Sequence, residues 1–226
     1  MFGSKLEVKQ FESRIEAHEA FPVQTGKILF YGHSLFTQCS AITKVGKDNP
    51  KLEDEVRMKD GSQAIVNHGF GTSSADDLLY YYDRMVRPYK PRALVLATAV
   101  NDFFAGYSPK EVMEIEARII QWAQADFPGI PIYCFSYMPG ILYKGEKNIF
   151  TRYRKEYDQL LKDFCNRHEN CRFVSLIDQP FYFENPEDIG NHDKVREDIY
   201  RDRLHFNAKG YAMFMDFVRE LLDDLL

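Results

Sequence analysis

The chain has 226 residues, 45% hydrophobic and 15% aromatic, enough to bury one substantial core in a single domain spanning 1–226. Its net charge of -5 argues against a nucleic-acid-binding role, which needs a basic surface. No apolar run reaches the length of a membrane span, and residues 1–21 lack the apolar core of a signal peptide, so the expected compartment is the cytoplasm.

Residues Glu7 to Ala20 are charged, with sparse apolar positions at Val8, Phe11, Ile15 and Ala17. They read as an amphipathic leading helix within 1–22, packed on the domain by one narrow face and ended by Pro22. Lys27–Gly32 reads as a first, buried strand. It leads through His33 to Ser34 and a short helix or turn to about Thr43. A Ser there stands beside free backbone N–H groups, a good place for a nucleophile. Residues 46–61 read as a loop or loose helix, and Gln63–Asn67 as a second strand running into the Gly-rich turn His68–Ser74. A helix from Ser74 to about Arg87 follows, capped by Ser74 with Asp76 and Asp77 in its first turn.

Ala93–Val100 reads as a third strand, apolar on both faces and ending in Asn101-Asp102. Ser108-Pro109-Lys110-Glu111 is a strong helix start, and that helix runs to about Asp126. Ile132–Ser136 is a fourth strand, Phe150–Arg167 a long helix and Cys171–Leu176 a fifth strand. Asp178–Glu197 is the longest irregular stretch and a candidate pocket rim. Asp202-Arg203-Leu204-His205 then lead into a final helix from Ala208 to about Leu225. Cys39, Cys134, Cys165 and Cys171 match no zinc or CxxC spacing and are expected as free thiols, with Cys134 in the core. His18, His168 and His192 read as surface residues, and no two His lie at metal-ligand spacing, so no metal site is expected.

Five strands alternating with helices give an α/β fold with a parallel sheet covered on both faces. Such sheets bind ligands beyond the carboxyl ends of their strands. Ser34, the 69–73 turn, Asn101 and the Asp202–His205 pair all fall just past strand ends. Together they supply a nucleophile, a base, an orienter and oxyanion donors, the parts acyl transfer needs. A nucleotide-binding reading finds neither a P-loop Lys after the 69–73 turn nor a Gly-x-Gly-x-x-Gly after a strand.

Four ordered blocks carry a resemblance: Gly32-His33-Ser34, Asn67 through Ser73, Asn101-Asp102, and Asp202 through Tyr211. Over about Phe11 to Leu222 the chain resembles the SGNH hydrolases, also called GDSL lipases or acylhydrolases. The resemblance implies a flavodoxin-like three-layer sandwich with a five-stranded parallel sheet in the order 2-1-3-4-5. It also implies serine esterase activity without a cofactor. It makes Ser34 the nucleophile, His205 the general base and Asp202 its partner. The oxyanion donors are then the N–H groups of Ser34 and Thr72 and the side-chain amide of Asn101. His33, Gly71 and Leu204 are expected beside the substrate.

Three positions depart from the family pattern: His33, Thr72 in place of Gly, and Ala99 in place of Gly. They keep open a non-catalytic protein of this fold that binds a glycan or a partner. The expected substrate is a small ester with a short acyl group, such as acetyl on a sugar or another polar alcohol. The polar, Tyr-rich 178–200 loop and the lack of a lid-sized insertion point that way. Lysophospholipase or thioesterase chemistry is the alternative, and assembly into a homo-oligomer is left open.

Overall fold

The computed structural model describes residues 9–145 and 148–226. Its apolar runs form five parallel strands: β1 (Ile28–Gly32), β2 (Ile65–Gly69), β3 (Ala93–Ala97), β4 (Ile132–Phe135) and β5 (Cys171–Val174). They lie in the order β2-β1-β3-β4-β5, the arrangement expected from the sequence. Every residue of β1 to β4 is buried, as strands covered on both faces require. Gly32 is level with Gly69 on one side and Ala97 on the other. Three strands therefore end in line, and the loops that follow them share one rim.

Alternation along β1 sends consecutive side chains to opposite faces. Phe30 meets Phe36 of the short helix α2 (Ser34–Thr37), with ring centroids 5.1 Å apart. Tyr31 points the other way, and its hydroxyl donates to the Leu78 carbonyl in α4 (Ala75–Met85). Helices α4, α6 (Pro109–Asp126) and α7 (Ile149–Cys165) cover that second face. On the first face, Phe36 packs on Phe135, which packs in turn against Phe214 and Phe217 of α8 (Ala208–Leu221). The short α3 (Leu52–Glu55) lies against β2. The helix start at Ser108 is as expected: its hydroxyl accepts from the Glu111 N–H, and the Glu111 carboxylate accepts from the Ser108 N–H.

Four expectations are corrected. The second strand begins and ends two residues later than the Gln63–Asn67 run. His68 and Gly69 continue the ladder opposite Tyr31 and Gly32, and His68 is buried. The leading helix α1 is Glu12–Glu19; Glu7 and Val8 lie outside the described residues. Its buried face is Phe11, Ile15 and His18, while Ala17 is exposed. His18 sits edge-on to His68 at 5.0 Å and hydrogen-bonds the Gly69 carbonyl. Burial pushes His18 down to about 4 and His68 to about 3, so both rings are neutral. His192 is also buried and is pushed down to about 3, by burial first and then by Arg154 and Lys155. Finally, the Tyr-rich 178–200 loop offers no tyrosine to a substrate: Tyr200 is buried, and Tyr182 packs on Phe181 and Phe206 as a loop aromatic does.

A buried polar hub stands under the end of β3. The Thr98 hydroxyl donates to Glu116 Oε2 at 2.7 Å, and the Tyr157 hydroxyl donates to the same oxygen. The hub ties α6 and α7 to the residue that follows β3. Burial pushes the Glu116 carboxyl up to about 8, against the two donors that pull it down. The folded chain thus keeps this proton up to about pH 8, whereas the unfolded chain releases it near 4.5. The unfolded state binds fewer protons across that window, so this group makes stability fall as pH rises through it. Glu116→Gln is expected to remove that contribution. Urea midpoints should then show the variant gaining on the parent between pH 5 and pH 8; a parallel pair of pH profiles would contradict this.

Candidate active site

The site begins where β1 stops. A Cβ at Gly32 would lie 2.4 Å from the Ala97 carbonyl oxygen, so only Gly lets β1 and β3 end this close. His33 follows as the cap of α2: its Nδ1 accepts from the Leu35 N–H at 3.2 Å, and its other ring nitrogen donates to the Thr98 carbonyl. Burial, and then the neighbouring His205, push His33 down to about 3. The residue expected beside the substrate is therefore a neutral ring inside the protein, only 1% exposed, and forms no open pocket wall.

Ser34 is the first residue of α2, where a backbone N–H has no helical carbonyl to meet. Its Oγ lies 3.1 Å from His205 Nε2. His205 Nδ1 lies 3.0 Å from Asp202 Oδ2. The three-residue spacing works because the chain turns tightly here. Asp202 Oδ1 accepts from the N–H groups of Leu204 at 2.8 Å and His205 at 2.7 Å. Partial burial opposes ionisation of Asp202, but these backbone donors and the imidazole outweigh it and hold the carboxyl well below the usual range. Two contacts fix this turn to the rest of the site. Tyr200 and Phe206 form an antiparallel bridge across it, and the Tyr211 hydroxyl on α8 donates to the Leu35 carbonyl of α2 at 3.0 Å. Leu204 is half-buried beside His205.

The loop after β2 supplies the opposite wall. A Cβ at Gly71 would stand 3.8 Å from the Ser34 Cβ, so the backbone passes close to the hydroxyl. Thr72 has φ +66°, and its N–H donates to no atom among the described residues. Asn101 lies in the first turn of α5 (Val100–Phe104), a helix not anticipated from the apolar run of β3. Its Nδ2 donates one hydrogen to the Ser73 carbonyl at 2.8 Å, which leaves the second amide hydrogen for a ligand. Asp102 is fully buried, and its Oδ1 accepts from the Ala75 N–H that opens α4. Burial pushes its carboxyl up to about 7. Asn101 and Asp102 thus bind the third loop to the second, one bond each.

The structure therefore brings Ser34, His205, Asp202, Thr72, Gly71 and Asn101 to one rim and withdraws His33 from it. Two contributors carried no signal in the sequence. Arg201 reaches Asp202 at 3.2 Å and Gln38 at 3.3 Å, and Arg14 of α1 bonds the Gly71 carbonyl. Each is one charged residue among many, and only the fold selects it. Among the described residues, the metal-capable group is Cys134, Cys165 and Cys171, with sulfur atoms within 4.8 Å of one another. All three are free thiols; two lie on β4 and β5 and one ends α7. Cys134 lies level with Leu96 of β3, and Cys171 opens β5.

Thr72 and Ala99 both hold left-handed backbone, at φ +66° and +76°, at the two positions where the family pattern has Gly. A side chain in this region costs roughly 1–2 kcal/mol, most for a β-branched residue. Thr72 is exposed, so its side chain has little packing to lose. Thr72→Gly is expected to stabilise the fold by about 1 kcal/mol in urea unfolding. A lower midpoint would mean that the Thr72 hydroxyl's bond to the Gly71 carbonyl outweighs the strain.

With this geometry in view, the comparisons with known proteins are consistent. A family model described as GDSL-like Lipase/Acylhydrolase family matches residues 30–213. No curated protein matches the sequence. Among solved structures, a GDSL-like lipase from Bacteroides thetaiotaomicron superposes with a TM-score of 0.69 at 13% identity, covering 97% of this chain and 100% of that one. A catalytic mutant of Axe2, an acetylxylan esterase from Geobacillus stearothermophilus, gives 0.62 at 16% identity, over 88% of this chain and 95% of that one. The acetyl xylan esterase AlAXEase gives 0.61 at 18% identity, over 87% and 99%. At these identities the structural likeness shows the fold alone, while the family match spans most of the sequence. This chain belongs to the GDSL-like lipase/acylhydrolase family.

Proposed function

We propose that the chain is a serine ester hydrolase working through an acyl–Ser34 intermediate. The observation that carries this reading is the unbroken relay from Ser34 Oγ to His205 Nε2 and from His205 Nδ1 to Asp202. Ser34 Oγ attacks the ester carbonyl while His205 Nε2 takes the hydroxyl proton. The carbonyl oxygen, now negative, is received by the N–H groups of Ser34 and Thr72 and by the free hydrogen of the Asn101 amide. His205 returns its proton to the departing alcohol. It then takes a proton from water as the hydroxide oxygen attacks the acyl–Ser34 carbonyl, and Ser34 leaves re-protonated. Asp202 keeps the Nδ1–H tautomer in place and supports the imidazolium that forms at each step.

The acyl group of this reading is short, and acetyl on a polar alcohol is the leading substrate. Two structural neighbours are acetyl xylan esterases by description, which is in keeping with that choice. The side chains at the rim favour it too: Arg14, Thr72, Arg201 and Arg203 are all exposed and polar. With the loop tyrosines buried, these residues take over the role that the 178–200 loop was expected to fill. For a longer acyl chain, α5 offers an apolar surface: Phe104, 51% exposed and packed on Phe150, one turn beyond Asn101.

Hydrolysis of p-nitrophenyl esters tests both levels. Ser34→Ala is expected to abolish turnover of the acetate ester. Asn101→Ala should lose one oxyanion donor and fall about a hundredfold to a thousandfold in kcat. Unchanged turnover in Ser34→Ala would reject the esterase reading. Faster turnover of octanoyl than of acetyl esters would reject the short acyl group and point to the Phe104 surface.

A further inference from the structure

The Gly71–Thr72 peptide is one planar unit. Its N–H end is the donor assigned to Thr72, and its C=O end faces the leading helix. Arg14 of α1 donates from Nη1 to the Gly71 carbonyl, and the same nitrogen lies 3.5 Å from Thr72 Oγ1. Thr72 Oγ1 itself donates to that carbonyl at 2.6 Å. Four residues along the same helix, His18 hydrogen-bonds the Gly69 carbonyl. So α1 grips the end of β2 and the loop after it at two carbonyls, one on each side of Phe70. The helix is anchored for this. Phe11 and Ile15 are buried, and Arg84 of α4 pairs with Glu12 and Glu19, both at 2.6 Å. The Arg14 guanidinium also lies over the Phe11 ring, 5.1 Å from its centroid.

We propose that Arg14 is a positioning residue for the oxyanion hole: its guanidinium holds the carbonyl end of the Gly71–Thr72 amide so that the N–H end stays aimed at the reacting oxygen. This rests on the esterase reading above. Two physical effects act together. A cation on a carbonyl fixes the peptide plane, which matters here because Thr72 sits in strained left-handed backbone that a rotated plane would relieve. The same cation draws electrons toward the oxygen and makes the attached N–H a stronger donor. The gain is largest when charge develops on the bound carbonyl, so it belongs to the transition state rather than to substrate binding.

The test is steady-state hydrolysis of p-nitrophenyl acetate by the full chain and by Arg14→Gln, each with Thr72 and with Thr72→Gly. Arg14 is exposed, so matched urea midpoints serve as the control for folding. Arg14→Gln is expected to lower kcat about tenfold, a fraction of the loss of a whole donor, with KM kept within about twofold. Arg14→Lys restores the cation and should recover most of that loss. In the Thr72→Gly background the plane is held without strain, and Arg14→Gln should cost about threefold or less. Unchanged kcat in Arg14→Gln, a loss that appears in KM, or an equal loss in both backgrounds would overturn the proposal. Ser34→Ala separates the two levels. If it is inactive while Arg14→Gln keeps full kcat, only this inference fails; if it still turns over, the esterase reading fails first.

Discussion

The hydrogen bond from Ser34 Oγ to His205 Nε2 spans 3.1 Å of space and 171 positions of sequence. It exists only if two ends of the chain are placed independently and correctly. One end is set by the sheet, where Gly32 lets β1 and β3 finish side by side and the chain turns into α2. The other is set by a four-residue turn whose carboxylate is held by its own backbone N–H groups. What joins them is the docking of α8, whose Tyr211 hydroxyl reaches the carbonyl next to Ser34. A parallel sheet makes this economical, because every loop at the carboxyl end opens onto the same rim.

The chemistry sits on a boundary between a neutral interior and a charged edge. Below it, His33, Asp102 and Glu116 are buried, and burial drives each toward its uncharged form. Above it, Arg14, Arg201 and Asp202 meet solvent. In the proposed mechanism, neutral groups below do not compete with the imidazolium that His205 becomes, and the backbone they tie down holds the proposed donors still. The loops carry strain at Thr72 and Ala99, and that strain is tolerated because the loops are over-determined. Asn101 and Asp102 brace one loop against the next, and α1 braces the Gly69–Thr72 stretch from outside.

Much of this was legible in the residues. Long apolar runs such as Ala93–Ala97 announce buried strands because both faces are covered. Ser108-Pro109-Lys110-Glu111 announces a helix start because each residue meets a specific need of the first turn. The candidate site residues were picked out through their blocks, and the fold places most of them at one rim. What failed did so for physical reasons. His18 completes the i, i+4, i+7 stripe begun by Phe11 and Ile15, but a polar residue is not scored as core unless its partner carbonyl is known. The second strand slid by two because its last residues, His68 and Gly69, look like a turn, yet their backbone pairs with β1. Tyr200 looked available because a loop is assumed to be wet, whereas this one packs its aromatics inward. Arg14 was invisible because its importance lies in one carbonyl on a distant loop.

If Ser34 is an activated nucleophile, covalent labelling reads this without knowing the substrate. The protein is incubated with a fluorophosphonate, digested, and the modified residue located by mass spectrometry. One stoichiometric adduct is expected on Ser34 and is expected to be lost in His205→Ala, since the imidazole must take the hydroxyl proton. No adduct on Ser34, or labelling that survives without His205, would contradict it and leave a fold that binds without reacting.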